Sequence, residues 1–293
     1  MRSDVTAVWG FTSSSNLFVV EMLPLIGKIS RAKRKGLHFF DLLPPKEHWK
    51  GNRRIRRWEK KIVEQRINGL DFISTISSKM LKEQLAIIKE RDIKSGVFYN
   101  PGNNIEIGML SKPTNIGSII VLYTGLLLPI RRPDLFFKAI ADFDATIWQF
   151  LFVGNNKRED WFEGDHLGDL IKFLPNTNDL LPLYNQSSIL LDLDVMVDDV
   201  YISSKFTNYL GLNRYIFSVS PIGSAARELV DGCETVIFSE GGYENIRNGL
   251  EEIKKHLQFG RGNKSISADR ESIRKKLDLK PLIEEIIGDT TDK

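Results

Sequence analysis

A single cysteine, Cys233, in 293 residues rules out a disulfide within the chain, and cysteine this sparse fits a reducing compartment, so the expected location is cytoplasmic. No stretch is long and apolar enough to span a bilayer. The start does not read as a secretory signal: Asp4 occupies the region that should be positive, and Glu21 interrupts the apolar run from Leu17 to Ile26. Internal repeats, low-complexity tracts and recognised nucleic-acid motifs are also missing, which argues against solenoids, disordered linkers and a nucleic-acid partner. What remains is ordinary for a globular protein: 42% hydrophobic and 27% charged residues, in a chain long enough for one large domain or two.

The net charge of +3 conceals an uneven distribution. Between Lys28 and Arg66 there are 14 Lys/Arg against 4 acids, an excess of 14 − 4 = +10, which leaves 3 − 10 = −7 for the rest. A basic N-terminal segment suggests an anionic surface nearby, and an anionic membrane face is one expected partner. A merely solvated basic face is the plainer reading. Phe39, Phe40, Trp49 and Trp58 lie in the same segment and fit either a membrane interface or a small core.

From Gly117 onward, β-rich apolar runs alternate with helical stretches, as βαβ units of a parallel sheet do. The predicted strands are Ser118–Thr124, Trp148–Val153, Leu170–Phe173, Ser188–Leu193, Tyr215–Val219 and Thr235–Phe238. Helices are expected over Pro133–Phe143, Asn178–Gln186 with Asn178 as cap, and Glu244–Leu257. This describes a doubly wound nucleotide-binding domain, with ligands at the carboxyl ends of its strands. Before it, predicted strands at Val5–Trp9, Gly36–Phe40, Phe72–Thr75 and Val97–Tyr99 alternate with helices Phe18–Ile29, Arg54–Asn68 and Ser78–Lys89. The turn Asn100-Pro101-Gly102-Asn103 is the expected linker. Three segments follow: a partial Rossmann-like domain at 1–110, a nucleotide-binding domain at 111–260, and a helical tail at 261–293 with a helix about Ala268–Ile287 interrupted near Pro281.

The densest chemistry lies in Ser203-Ser204-Lys205-Phe206-Thr207-Asn208-Tyr209-Leu210-Gly211, then Tyr215–Val219, then Pro221-Ile222-Gly223-Ser224-Ala225-Ala226-Arg227-Glu228-Leu229. Two small-residue turns each open a helix, and helix starts present free N–H groups to an anion. Order and wording resemble the P-S-K-L-x-E-Y-L-A … G-S-x-A-A-E-L-I segment of family-4 glycosyltransferases (glycosyl transferases group 1) of the GT-B architecture. Tyr123–Leu135 (YTGLLLPIRRPDL) is similar to that family's Y-x-G … R-x-P-x-x-L opening of the second domain, and Leu37–Trp49, Asp71–Leu81 and Phe98–Gly102 to segments of its first. Phe173–Leu183 resembles the donor-base loop.

The resemblance implies an α/β protein with two Rossmann-type domains and parallel sheets, the N-terminal, acceptor-side one incomplete. It implies a hexosyltransferase-type enzyme moving a sugar from a nucleotide donor to a glycan or lipid-linked acceptor, with retention and without a metal or other cofactor. Polysaccharide or lipid-linked glycan synthesis at the inner face of the membrane is the implied setting. Arg131, Lys205, Ser203, Ser204 and Gly125 would hold the diphosphate, Asn208 and Leu174 the ribose and base, and Gly223 and Ser224 a donor loop. A planar guanidinium can grip two phosphate oxygens at once, which suits Arg131, with Arg132 beside it. No catalytic residue is assigned. His38 and His48 are the histidines of the first segment, and a lone histidine is more often structural.

Departures from the pattern are specific. Asn208 stands where relatives carry a ribose-binding glutamate, Val200 where they carry its upstream partner, and Leu126 where they often carry an arginine. The alternative is a non-catalytic or truncated subunit that binds a nucleotide sugar or a partner chain, with a second chain completing the N-terminal domain. Asp192-Leu193-Asp194 could instead be a metal-binding pair, although alternation along a strand puts such residues on one face in any case.

Overall fold

The computed structural model describes residues 7–13, 17–46, 53–67, 69–88, 93–100, 110, 118–131, 133–154, 168–194, 198–259, 265–280 and 283–284. His48, Trp49, Arg132 and the turn at 101–103 fall outside them. The chain divides into two units, one of residues 1–100 with 276–293 and one of residues 101–275.

The first unit alternates β1 (Ala7–Thr12), α1 (Phe18–Ser30), β2 (Arg34–Phe39), α2 (Arg53–Ile67), β3 (Phe72–Thr75), α3 (Ser78–Ile88) and β4 (Lys94–Val97). Every pairing is parallel and the order is β1-β2-β3-β4, so the chain advances in one direction only. Right-handed crossovers then place all three helices on one face. There Val20 and Leu23 of α1, Val63 and Ile67 of α2 and Ile88 of α3 share a core with Leu37, Phe39 and Ile73. Trp9, Phe11, His38, Phe72 and Phe98 contact one another through their rings, with Phe40 joining at Phe11 and His38. β1 continues to Thr12 rather than ending at Trp9, and β4 starts three residues before the expected Val97. Ser77 caps α3, its hydroxyl accepting from the Met80 N–H at 3.0 Å.

The second unit carries β5 (Ile119–Thr124), α4 (Pro133–Ile140), β6 (Trp148–Val153), β7 (Ile171–Leu174), α5 (Leu181–Gln186), β8 (Ile189–Leu193), α6 (Ser204–Leu210), β9 (Tyr215–Val219), α7 (Ala225–Leu229), β10 (Val236–Ser239), α8 (Tyr243–Phe259), α9 (Ile266–Asp269) and α10 (Glu271–Leu277). Its six parallel strands run β10-β9-β8-β5-β6-β7. The chain builds outward from β5 to β7, returns to the other side of β5 at β8, and continues to β10. That is the doubly wound arrangement expected from the alternating pattern, with its switch point between β5 and β8. Both faces of the strands are buried, as a parallel sheet requires. Tyr123, Phe150, Phe152, Leu191 and Phe217 pack under α4 and α8, and Leu122, Leu151, Leu190 and Ile216 are buried as well.

Two expectations are corrected here. Asn178 does not cap the fifth helix, which starts at Leu181 behind Leu180; Asp179 Oδ1 accepts the Leu181 N–H instead, at 3.2 Å. The single tail helix is two short ones broken at Arg270, a fully buried side chain. Its guanidinium donates to the carbonyls of Tyr209, Leu212, Arg214 and Thr235 and to the Thr235 hydroxyl. Residues 281–282 lie outside the described set, so the expected interruption near Pro281 does too.

Candidate functional site

Loops at the carboxyl ends of β5 and β8 carry most of the diphosphate residues expected from the sequence. Gly125 closes β5 with φ +94°, a backbone region that L side chains rarely occupy. Its N–H donates to Val153 O at 2.9 Å, and an added Cβ would stand 3.5 Å from Lys205 Nζ. The positive φ rather than lack of room calls for glycine here, since a Cβ at that distance would only touch the lysine.

Lys205 enters α6 after its N-cap, Ser203, whose hydroxyl oxygen accepts the Phe206 N–H at 3.1 Å. The same hydroxyl donates to Asp192 Oδ1 at 2.9 Å, while Ser218 donates to Asp192 Oδ2 at 2.9 Å. Asp192 is thus a buried carboxylate engaged on both oxygens that ties β8 and β9 to the start of α6. Among the described residues no group of three or more His, Cys, Asp or Glu side chains could hold a metal ion. Further along α6, Tyr209 Oη accepts the Thr124 N–H at 3.0 Å and lies 2.9 Å from the Thr124 hydroxyl. These contacts hold α6 against the end of β5.

Two cations cross the switch point in opposite directions. Lys205, from the β8 side, donates through Nζ to the Tyr123 hydroxyl of β5 at 2.6 Å and lies 4.0 Å from that ring's centroid. Arg131, from the β5 side, donates through Nη1 to the carbonyl of Leu193 at the end of β8. Arg131 Nε is buried without a hydrogen-bond partner. The Tyr123 hydroxyl in turn donates a hydrogen bond to Leu126 O at 2.9 Å. Burial, reinforced by the Arg131 charge, lowers the Lys205 ammonium to a pKa of about 7, against the opposing pull of Asp192 and Asp194. Burial likewise raises the Tyr123 phenol, so it stays neutral and serves as acceptor. Two basic groups held close together in partial burial favour an anion, which would offset both the repulsion and the desolvation.

The other predicted residues lie around this centre. Ser204 occupies the first turn of α6 and is exposed, and Asn208 is half-buried one turn on. Leu174 ends β7, where its carbonyl accepts the Gly154 N–H at 3.0 Å. Gly223, at φ +69°, and Ser224 lie past β9, one strand beyond β8. There Ser224 accepts the Arg227 N–H at 3.4 Å and the Ala225 N–H donates to Asp199 O at 2.8 Å, so two donors of that helix start already have partners. Tyr123 and Asp192 were not predicted as site residues. In sequence Asp192 reads as a metal-binding candidate or as plain strand alternation, and Tyr123 as one more buried strand residue.

No protein-family model matches this chain. No curated protein matches it in sequence. Solved structures do match it. A glycosyltransferase from Rickettsia africae superposes with a TM-score of 0.64 at 14% identity, over 95% of this chain and 84% of that one. Anabaena Alr3699/HepE, solved with UDP and glucose, gives 0.66 at 14% identity over 94% and 76%. WaaG, a glycosyltransferase of lipopolysaccharide biosynthesis, gives 0.56 at 13% identity over 94% and 82%. In class, the chain is an α/β protein of two parallel-sheet units. More narrowly, its fold is that of the GT-B glycosyltransferases.

Proposed function

We propose that this chain transfers a sugar from a nucleotide-sugar donor to a glycan or lipid-linked acceptor. The observation that carries the reading is the meeting of Lys205, Arg131 and Gly125 at the β5/β8 switch point, where a doubly wound sheet holds its ligand. Departure of a nucleoside diphosphate builds negative charge on the β-phosphate, and two basic side chains beside helix N–H groups stabilise it as it forms. In this role Lys205 leaves Tyr123 for a phosphate oxygen, Arg131 turns its buried Nε and fork to another, and Ser203 and Ser204 line the approach. Asn208 and Leu174 take the ribose and base, and the Gly223–Ser224 turn flanks the donor sugar. These groups supply the electrostatics without a metal. The acceptor belongs to polysaccharide or lipid-linked glycan assembly at the inner face of a membrane, and the transfer is of the hexosyl, retaining type.

Thermal unfolding with a panel of nucleoside diphosphates and nucleotide sugars tests this, since a ligand of the folded state raises Tm by mass action. The expected result is a rise for one base that is lost in Lys205→Ala, followed by turnover with the matching sugar nucleotide. Absence of any shift in a well-folded protein sinks the donor site. A second reading, binding without transfer, is favoured by Asn208 in place of a ribose-binding glutamate; it predicts the Tm rise without turnover.

A further inference from the structure

Helix α1 is apolar on two opposite faces. Val20, Leu23 and Gly27 are buried against the sheet. At about 100° per residue, Phe18, Met22, Leu25 and Ile29 fall within an arc of about 60° on the opposite side. Phe18 is 65% exposed, Leu25 48% and Ile29 74%, with Ile26 beside them at 45%. A surface helix normally turns polar residues outward, so a second apolar face calls for a second partner.

The neighbouring helix provides the complementary half. α2 packs beside α1 on the same face of the sheet. It buries Val63 and Ile67 and exposes Arg54, Arg57, Lys61 and Trp58, the last at 57%. Lys28, Arg31 and Lys33, all exposed, extend the charge past the end of α1. An apolar ridge beside a cationic one, with an indole at their border, has the make-up of a surface that rests in the headgroup layer of an anionic bilayer. A second copy docked face to face would set this excess of cations against itself, and a nucleic acid would leave the ridge of Phe18, Leu25 and Ile29 unsatisfied.

We propose that the outward surface of α1 and α2 docks on an anionic lipid bilayer, apolar ridge inserted and cations among the headgroups. The surface lies wholly in the first unit, and the proposal stands whether or not the second unit binds a nucleotide. The test is co-sedimentation of the full chain with phosphatidylcholine vesicles, with and without about a third phosphatidylglycerol, across a salt series and without nucleotide. Binding is expected only to the anionic vesicles, weakening with salt. Arg57→Gln/Lys61→Gln should weaken it about 25-fold, about fivefold per cation. Leu25→Glu/Ile29→Glu should weaken it at least tenfold while melting at the wild-type temperature. Should the apolar variant melt early, the charge variant, which alters only exposed side chains, decides alone. Wild type that ignores anionic vesicles at low salt, or variants that bind as wild type does, would overturn the proposal. So would a protein that binds no vesicles but changes from dimer to monomer in Leu25→Glu/Ile29→Glu, or that captures an oligonucleotide instead.

Discussion

The two units use the same βαβ grammar and end with different assets. In the second, the strand order switches to the other side of β5 at β8, and Lys205 and Arg131 cross that switch point from opposite sides. In the first, the four strands among the described residues follow one another without a reversal, and α1, α2 and α3 stack on one side. Its distinctive chemistry is therefore on its outer surface and in an aromatic cluster around His38. A reversal of winding, rather than the strand-helix alternation itself, is what creates a ready-made ligand site.

The comparison predicts where each unit is most fragile. In the second unit the largest loss should come from Arg270→Ala. All five hydrogen bonds of that guanidinium go to Tyr209 at the end of α6, to Leu212 and Arg214 in the turn before β9, and to Thr235 just before β10; truncation removes a buried charged donor from all of them, empties its space and leaves the Tyr209, Leu212 and Thr235 carbonyls with their backbone partners alone. We expect a loss of about 3–5 kcal/mol, read as a lower urea midpoint at constant m-value. A loss below about 1 kcal/mol would mean that water reaches those carbonyls and that α9 and α10 are not anchored this way.

The first unit should instead be sensitive to acid. His38 is buried, shares a 2.9 Å hydrogen bond with the Ser74 hydroxyl, and is held by burial at a pKa of about 4. The unfolded chain takes up that proton near pH 6.5, the folded chain only near 4. Stability is therefore full above about pH 6.5 and falls as the pH drops towards 4, by about 3 kcal/mol from this group. Hydrogen exchange in β2 and β3 should accelerate over that window while β5 and β8 change less, and His38→Gln should flatten the response. Uniform acceleration in both units would erase the proposed contrast.

What could be read from the sequence follows the same division. β6 and β9 match their predicted limits residue for residue, because a dense apolar run between polar turns, broken only by Gln149 in one and Ser218 in the other, leaves one placement. The placement of Gly125, Arg131 and Lys205 at the carboxyl edge is legible because a glycine ending a strand and a cation opening a helix sit there whatever the details. Tyr123 and Asp192 are not, because their roles depend on partners 82 and up to 26 residues away, and periodicity reports only that such positions are buried. The break at Arg270 was hidden for the same reason: an arginine in a helical pattern reads as solvent-facing. In the first unit the +10 charge excess was plain, but the outward ridge of α1 needed the structure to say which of its two apolar faces is covered.

A sharper question for the switch point is how Lys205 exchanges Tyr123 for an anion. With a pKa of about 7 the lysine is largely neutral at pH 8 in the free protein, and a bound diphosphate favours its charged form. Nucleoside diphosphate binding should then take up a proton, and affinity should fall as pH rises above about 7, approaching tenfold per unit. Calorimetry in buffers of different ionisation enthalpy measures that uptake directly. Lys205→Arg, which keeps its charge throughout, should bind with a flatter pH profile. Equal proton uptake by both would place the titrating group elsewhere.

The smallest effect separates the starts of α6 and α7. Ser203 accepts from Phe206 at 3.1 Å and also donates to Asp192, so Ser203→Ala removes a cap and leaves one oxygen of a buried carboxylate without that donor. Ser224 has a longer cap contact, 3.4 Å to Arg227, and its other partner is the Ser220 hydroxyl, also at 3.4 Å. Ser203→Ala should therefore cost about 1–2 kcal/mol and Ser224→Ala about half of that or less. The first should also weaken diphosphate binding, because α6 loses the tie that sets Lys205 at the switch point. Equal costs in the two variants, with binding unchanged, would reduce Asp192 to a packing group and leave Tyr123 as the element that positions the lysine.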